Sequence, residues 1–381
     1  MRKPENSKQP CARPRQTQAT WLGSSPDKQR FYIALGDHQI LSAKGIGHML
    51  DFFKPLFSKK ATDGYPEALI KDVIEHAVDS TDPWIRAVSA YKRKLRPAVL
   101  RALNYVAALV DDMAPVILIK PGSYISDSRL RPFFISSSDM WKVLGSRMTS
   151  SGYLRGQEGN APWIYALLTM QKIEKSFLGA EVVGVIVLRD VLQHAVSFES
   201  HRLLDPAQSE EETRSKLKIR AFDHLLRLAL RRITLVKSER DKLERHRELL
   251  QSTLNLMQNT GQGSELVSAD WHVAVAEIKG RLGNIETDLL ELGGNDGMLD
   301  IHLDIVTDVL GRPDEHLWVK KEMLIIDRLG IRRNEPADGT QRVGLDIICD
   351  SDDLNLVALP VAISREAMQS LIGDRAIENL H

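Results

Sequence analysis

The stretch "ITLVKSERDKLERHRELL", residues 233–250, is predicted to form a helix with very little to bury. Between Val236 and Leu249 the only apolar residue is Leu243. No proline or glycine interrupts the chain from Ser209 to Gln258, so a single helix of about 75 Å is predicted. A helix this polar needs a narrow apolar stripe and a partner that covers it.

A regular apolar stripe runs along this helix and returns in the next one. In the first helix it alternates four- and three-residue spacings over five heptads, and nine of its eleven positions are apolar. These positions are Phe222, Leu226, Ala229, Ile233, Val236, Arg240, Leu243, Arg247, Leu250, Leu254 and Met257. After "NTGQGS" (259–264) the spacing returns at Trp271, Val275, Ile278, Leu282, Ile285, Leu289 and Leu292. Sustained heptads of this kind predict a coiled coil.

The short break between the two helices predicts an antiparallel hairpin. One register pairs every stripe residue of the second helix with a stripe residue of the first. Its pairs include Leu254 with Trp271, Leu250 with Val275, Leu243 with Leu282 and Val236 with Leu289. Arg240 and Arg247 are the polar positions of this seam. We expect them to weaken it, and so to set register or limit self-association.

The sequence predicts an α+β protein with a helical N-terminal region, a mixed sheet region and an inserted antiparallel coiled-coil helical hairpin. A disordered basic tail spans 1–28, and a mainly helical region spans 29–150. A β-rich segment spans 151–208, and the hairpin spans 209–293. An acidic α/β segment, 294–381, is expected to share a sheet with 151–208.

Finer patterns predict individual elements within these regions. Two helices, 82–95 and 97–113, are each expected to begin near a proline. Residues 163–204 are expected to form strands joined near "FLGAE" (177–181) and "FES" (198–200), with the even-numbered apolar residues on one face.

The composition excludes several classes of protein. The formal net charge is zero, so no overall field recruits nucleic acid or membrane. Cys11 and Cys349 are too few for a disulfide framework or a zinc site, and they favour a reducing compartment. The longest apolar run, "VVGVIVL" (182–188), is far shorter than the roughly 20 residues of a membrane span. No secretory signal is recognised, so we expect a cytoplasmic protein.

The strongest candidates for chemistry cluster in "RDVLQHAVSFESHRLLD" (189–205). Asp190 with His194 could orient an imidazole for general-base catalysis, and His201 lies nearby. Histidines beside carboxylates can also bind metal, but no known ligand spacing is present. A structural polar pair within a sheet is the favoured interpretation, and no cofactor or metal is expected.

Two charge patterns have functional and structural interpretations. The basic tail and "YKRKLRPAVLR" (91–101) could contact phosphate, although a charged helix surface beside an apolar face is the favoured interpretation of the second. Asp296, Asp300, Asp304 and Asp308 recur every four residues and could hold a cation or meet a basic partner. A solvated helix face is the simpler interpretation of these aspartates.

Together these patterns favour a protein–protein interaction or scaffold protein that acts through its coiled-coil hairpin. Its partner would be another protein or a second copy of the chain. The alternatives are an enzyme of unknown reaction with a pocket near Asp190 and His194, and nucleic-acid binding through the basic tail. Enzymatic activity is the less favoured of these classes, and no particular reaction is indicated.

Overall fold

The computed structural model describes residues 65–150, 153, 161–183, 186–261, 269–293 and 297–378. The predicted basic tail, 1–28, and the start of the helical region lie outside the described residues. The described residues belong to one compact unit, which spans Leu50–His381. This unit combines helices with a mainly antiparallel curled sheet, so the fold is α+β.

Along the chain, helices occur before, between and after the strands of the sheet. Short 3₁₀ turns occupy Pro83–Ala87 and Ser128–Phe133. The α-helices are α1 (Glu67–Thr81), α2 (Tyr91–Asp111), α3 (Ser123–Ser126), α4 (Ser137–Ser150), α5 (Glu210–Gly261), α6 (Ala269–Glu291), α7 (Met298–Gly311), α8 (Pro313–His316) and α9 (Arg365–Glu378).

The predicted helix boundary at Pro97 is wrong, because α2 continues through this residue. Pro97 has no N–H to donate to the carbonyl one turn earlier, which weakens the helix there. Leu95 and Val99 are fully buried on either side of it, and their burial outweighs that loss. The chain turns instead at Ala90, whose backbone is left-handed with φ 57°.

The sheet joins strands that precede the long helices to strands that follow them. Its path order is β3-β2-β6-β5-β4, and β1 pairs in parallel with β6. The strands are β1 (Ile117–Ile119), β2 (Trp163–Val183), β3 (Ile186–Ala207), β4 (Leu317–Ile326), β5 (Gln341–Asp350) and β6 (Asn355–Ser364).

The sheet curls until its two edges meet. The Val196 N–H donates to the Gly330 carbonyl at 2.8 Å, and the Arg332 N–H donates to the His194 carbonyl at 2.8 Å. These bonds join β3 to the segment that follows β4. Side chains from all five path strands, including Phe198, fill one apolar core together with side chains of α4. The curl therefore encloses a core that a flat sheet would leave open.

Three β-bulges interrupt the pairing of β2 with β3, and in each one β3 carries the extra residue. Each bulge contains a non-glycine residue with left-handed backbone: Asp190 (φ 57°), Ser200 (φ 57°) and Asp205 (φ 51°). Bulges increase twist and bend a strand, which suits the curl of this sheet. The extra residues make β3 irregular and leave β2 regular.

The predicted joins at 177–181 and 198–200 are wrong, because both segments lie inside long strands. Gly179 provides room for a neighbouring side chain instead of a turn. A Cβ atom at Gly179 would lie 2.5 Å from the Gln193 Oε1 atom. The segment 198–200 ends at a bulge residue, Ser200, and not at a turn.

The predicted single apolar face of even-numbered residues in β3 is also wrong. Val196 and Phe198 are buried, but Leu188 and Leu192 are exposed. Leu192 lies opposite Leu178, whereas Leu188 lies opposite residue 181, so the two leucines fall on different faces. The bulge at Asp190 shifts the alternation by one residue between them.

A buried carboxylate anchors α5 to the body. Asp82 is 4% exposed and accepts hydrogen bonds from Lys237 Nζ (2.9 Å), His302 Nδ1 (2.8 Å) and the Trp84 N–H (3.1 Å). Burial alone would raise the pKa of Asp82, but the bonds from Lys237 and Trp84 outweigh burial and lower that pKa. The ionised carboxylate thus links the Pro83–Ala87 turn, α7 and α5.

Further polar pairs hold α5 from other directions. The His76 ring of α1 donates to Asp223 at 2.8 Å, and the His224 ring donates to Asp350 at the end of β5, also at 2.8 Å. Arg232 donates to His316 Nδ1 at 3.2 Å. These contacts, with Lys237, place the first half of α5 within a frame of histidines and carboxylates.

We predict that acid weakens this frame. Burial lowers the pKa of His302 and of His316, so both rings are uncharged near neutral pH. The charges facing them are Asp82 and Lys237 at His302, and Asp308, Glu315, Arg232 and Arg312 at His316. Below about pH 6.5, histidines of the unfolded chain become protonated, whereas these two rings in the folded chain bind fewer protons. The free energy of unfolding should therefore fall as the pH is lowered from about 7 to 5.5.

Urea denaturation at the two pH values measures this loss. His302→Gln keeps a donor for Asp82 but does not titrate, so it should reduce the pH dependence. His246→Gln, at an exposed position of α5, is the matched control and should leave it unchanged. An unchanged pH dependence in His302→Gln would contradict the prediction.

Candidate functional site: the α5–α6 helix pair

Helix α5 consists of two parts with different surroundings. Its first part is apolar over a wide face and packs against α1, α2 and α7. Phe222, Leu225 and Ile233 are almost fully buried there. Beyond Lys237 the helix is exposed except along one narrow stripe. The polar stretch 233–250 spans this transition.

Helix α6 packs against the second part of α5 along the stripe. Leu254, Val275 and Leu282 are the buried residues of a small apolar cluster. Leu250, Met257, Trp271 and Ile278 are partly buried and pack against it. Ile285 and Leu289, further along the stripe of α6, are also buried. Apolar side chains that lie off the stripe are largely exposed: Leu235, Leu249, Leu256, Val273 and Leu290. Burial is therefore restricted to the heptad positions along this part of the pair.

The apolar cluster indicates a register between α5 and α6 that differs from the predicted register by one heptad. The prediction places Leu282 against Leu243, but the cluster groups Leu282 with Leu250 and Leu254. A groove beside it likewise brings Glu286 to Arg247. A seven-residue shift keeps every stripe position facing a stripe position, so heptad spacing alone does not distinguish the two registers. The shifted grouping also brings Gly261 and Ala269, the facing helix ends, nearly level.

The two seam arginines have different environments. The Arg240 side chain is 12% exposed, and its Nε donates to Glu244 Oε1 at 2.8 Å. Arg247 is exposed and lines a groove of about 640 Å³ with Gln251, Asn255 and Glu286 among its neighbours. The first arginine is thus part of the packed stripe, whereas the second belongs to the surface of the pair.

The sequence candidates for catalysis lie on β3, in different places. Asp190 is exposed at a bulge, and His194 is exposed with its Nδ1 3.0 Å from Ser176 Oγ. His201 is 9% exposed, donates from Nε2 to the Phe133 carbonyl at 2.8 Å and stacks on Phe134. Burial lowers the pKa of His201, so it is an uncharged ring that holds the Ser128–Phe133 turn against β3.

A broad groove of about 1140 Å³ lies beside His201, between β3, the Ser128–Phe133 turn and the β4–β5 connection. Phe133, Phe134 and Phe198 are among its lining residues, together with Arg131 and Arg328. Asp190 and His194 are not part of this lining. The groove therefore brings His201 together with aromatic and basic side chains, but not with the other two candidates.

The charged patterns found in the sequence form ion pairs in the structure. In the basic segment 91–101, Lys92 pairs with Glu75, Lys94 with Asp300, and Arg96 with Glu67. Asp308 pairs with Arg232 and Arg312. Asp296 lies outside the described residues. These carboxylates neutralise much of the positive charge that would attract phosphate.

The buried group around Asp82 was not identified as a site from the sequence. In the sequence, Asp82 begins a predicted helix, Lys237 lies in the polar stretch 233–250, and His302 lies between two of the regularly spaced aspartates. His302 is a histidine on the buried face of α7, beside Val306 and Val309. That position was the one available signal that His302 needs a polar partner.

No family model, curated protein or solved structure matches the chain. None of the described helices is both long enough and apolar enough to cross a membrane. Within the described ranges, histidine, cysteine, aspartate and glutamate form no group of three suited to a metal ion.

We predict that Arg240→Leu stabilises the protein, because a mostly buried charged side chain is replaced by an apolar one at a stripe position. The free energy of unfolding should rise by about 1 kcal/mol. Arg247→Leu is the matched control, and it should change stability little because residue 247 is exposed. Urea denaturation of the two variants measures both effects. A loss of stability in Arg240→Leu would show that Arg240 and Glu244 contribute more than apolar packing.

Proposed function

We propose that this protein is a cytoplasmic protein–protein interaction or scaffold protein, and that α5 and α6 form an antiparallel coiled-coil hairpin that binds its partner. The observation that carries the proposal is the restriction of burial to the heptad stripe beyond Lys237. A helix pair that is buried only along its own seam leaves most of its surface available for contact.

Exposed leucines on this surface support binding of a protein. Leu249 and Leu256 are 68% and 65% exposed, and they lie two turns apart on α5. Leu290 of α6 is 72% exposed. Single exposed leucines are common, but these lie on an otherwise polar helix pair that does not need them for its seam. They are suitable anchors for the apolar positions of a partner.

The anchoring of α5 supports a scaffold role. The ion pairs and hydrogen bonds at Asp82, Asp223, Asp350 and Arg232 fix the first part of the helix from several sides. A binding element on a rigid support loses less conformational freedom when it binds. The described residues provide no comparable support for the alternatives. Asp190 and His194 are exposed on a strand, and the basic tail lies outside the described residues.

Removal of the outer helix pair tests the proposal. Residues 241–288 are replaced by a short glycine linker, which retains Lys237 and its bond to Asp82. The deleted chain should lose only the helical circular dichroism signal of the removed residues and should still melt cooperatively, because the core of the body and its anchoring contacts remain. A partner recovered from the native cell with the tagged full chain should be lost with the deleted chain. Retention of that partner by the folded deletion variant would refute the proposal.

A surface variant separates binding from folding. Leu249→Lys with Leu256→Lys should lower partner affinity by about tenfold or more, since apolar contact is replaced by charge. Leu329→Lys is the matched control, because Leu329 is 82% exposed but lies between β4 and β5. Titration calorimetry with the recovered partner measures both affinities. Equal affinities for the two variants would show that these leucines do not contact the partner.

A further inference from the structure

The β2–β3 pair extends beyond the rest of the sheet as a two-stranded ribbon. β2 pairs with β6 only from Trp163 to Met170. From Gln171 to Val183, β2 pairs with β3 alone among the described strands. An isolated two-stranded ribbon is marginally stable in water, and a third strand or a packed element normally supports it. Among the described residues, the outer edge of β2 carries no such strand after Met170.

One face of the ribbon is aliphatic and exposed. Leu178 lies opposite Leu192 across the two strands, and Val187 follows on the same face. Their exposed fractions are 67%, 61% and 59%. This face continues the inner face of the curled sheet. An ion pair between Lys172 and Glu322, at 2.8 Å, lies between the exposed face and the buried core. Apolar side chains of this extent on a strand pair indicate a surface that another element covers.

The two edges of the ribbon are not equivalent. β3 is bulged at Asp190, where the backbone is left-handed, and this irregularity hinders the addition of a strand. Each bulge between the two strands adds its residue to β3, so β2 stays regular throughout 171–183. The edge of β2 therefore presents an unbroken row of backbone groups to a further strand.

We propose that a second copy of this chain adds its β2 to this edge, antiparallel, about a two-fold axis at Leu178. The two ribbons then form one four-stranded sheet. Because Leu178 faces Leu192 within each copy, the pairing produces an unbroken row of four leucines across the sheet.

The self-complementary register favours a second copy over an unrelated protein. A two-fold axis requires one patch to match itself, and this strand does so at Leu178, whose exposed side chain meets its own copy. The nearby charges are already balanced, since Lys172 bonds to Glu322 and to Glu174, and Arg332 lies 3.7 Å from Glu174. No excess of one sign remains there to select a charged partner. This contact is separate from the one proposed for α5 and α6.

Substitution at the two-fold axis gives a direct test, because residue 178 meets its own copy. Sedimentation of the full chain should show a concentration-dependent dimer. Leu178→Lys and Leu178→Glu should each raise the dissociation constant by about tenfold or more, since like charges then lie opposite. An equimolar mixture of the two variants should recover the dimer, because lysine then meets glutamate. A melting curve for each variant verifies that the body remains folded.

The matched control is Leu192→Lys, which changes a leucine of similar exposure on the same face but on the bulged strand. Its effect on dimerisation should be several-fold smaller than that of Leu178→Lys. A wild-type chain that stays monomeric at every concentration would overturn the inference. So would a dimer that Leu178→Lys does not weaken, or a mixture that fails to recover it. The variant that lacks 241–288 should still dimerise, so a failure here is distinguishable from a failure of the hairpin proposal.

Discussion

The buried carboxylate of Asp82 is the constraint on which the arrangement of the helices depends. A charge that is 4% exposed must be matched by donors, and here these come from three separate elements. One of them, Lys237, belongs to the last part of α5 that contacts the body. The buried charge therefore fixes where the body ends and where α5 begins to depend on α6 alone. Packing of Phe222 and Leu225 holds the helix against the body, and Asp82 defines its position along that contact.

The sheet follows a second constraint, which is the unequal length of its two longest strands. β3 absorbs one extra residue at each of three bulges, and the strand bends at those points. This bending brings His194 and Val196 to the segment after β4 and closes the curl around the core. The same pair of strands then continues past β6 as a ribbon. A single uneven hairpin thus accounts both for the enclosed core and for the exposed strand edge.

The sequence was most informative where a pattern is periodic and long. It predicted one long helix from Ser209 to Gln258, which matches α5 closely, because apolar spacing and the absence of proline and glycine are local properties. It failed where tertiary context overrides local signals, as at Pro97, Gly179 and Ser200. The register of α5 and α6 shows a further limit, since a heptad repeat matches itself after seven residues. The Asp82 group joins residues distant in sequence, and no local pattern indicates that they meet.

Because α5 is one unbroken helix, any tilt of its anchored part would also tilt the part that extends beyond the body. From Lys237 to Gly261 the helix extends about 36 Å beyond its last anchor. A rotation of about 10° at that anchor displaces the far end by roughly 6 Å, which exceeds the rise of one helical turn. A small tilt of α5 at Asp82 would therefore produce its largest displacement at the far end of the helix pair.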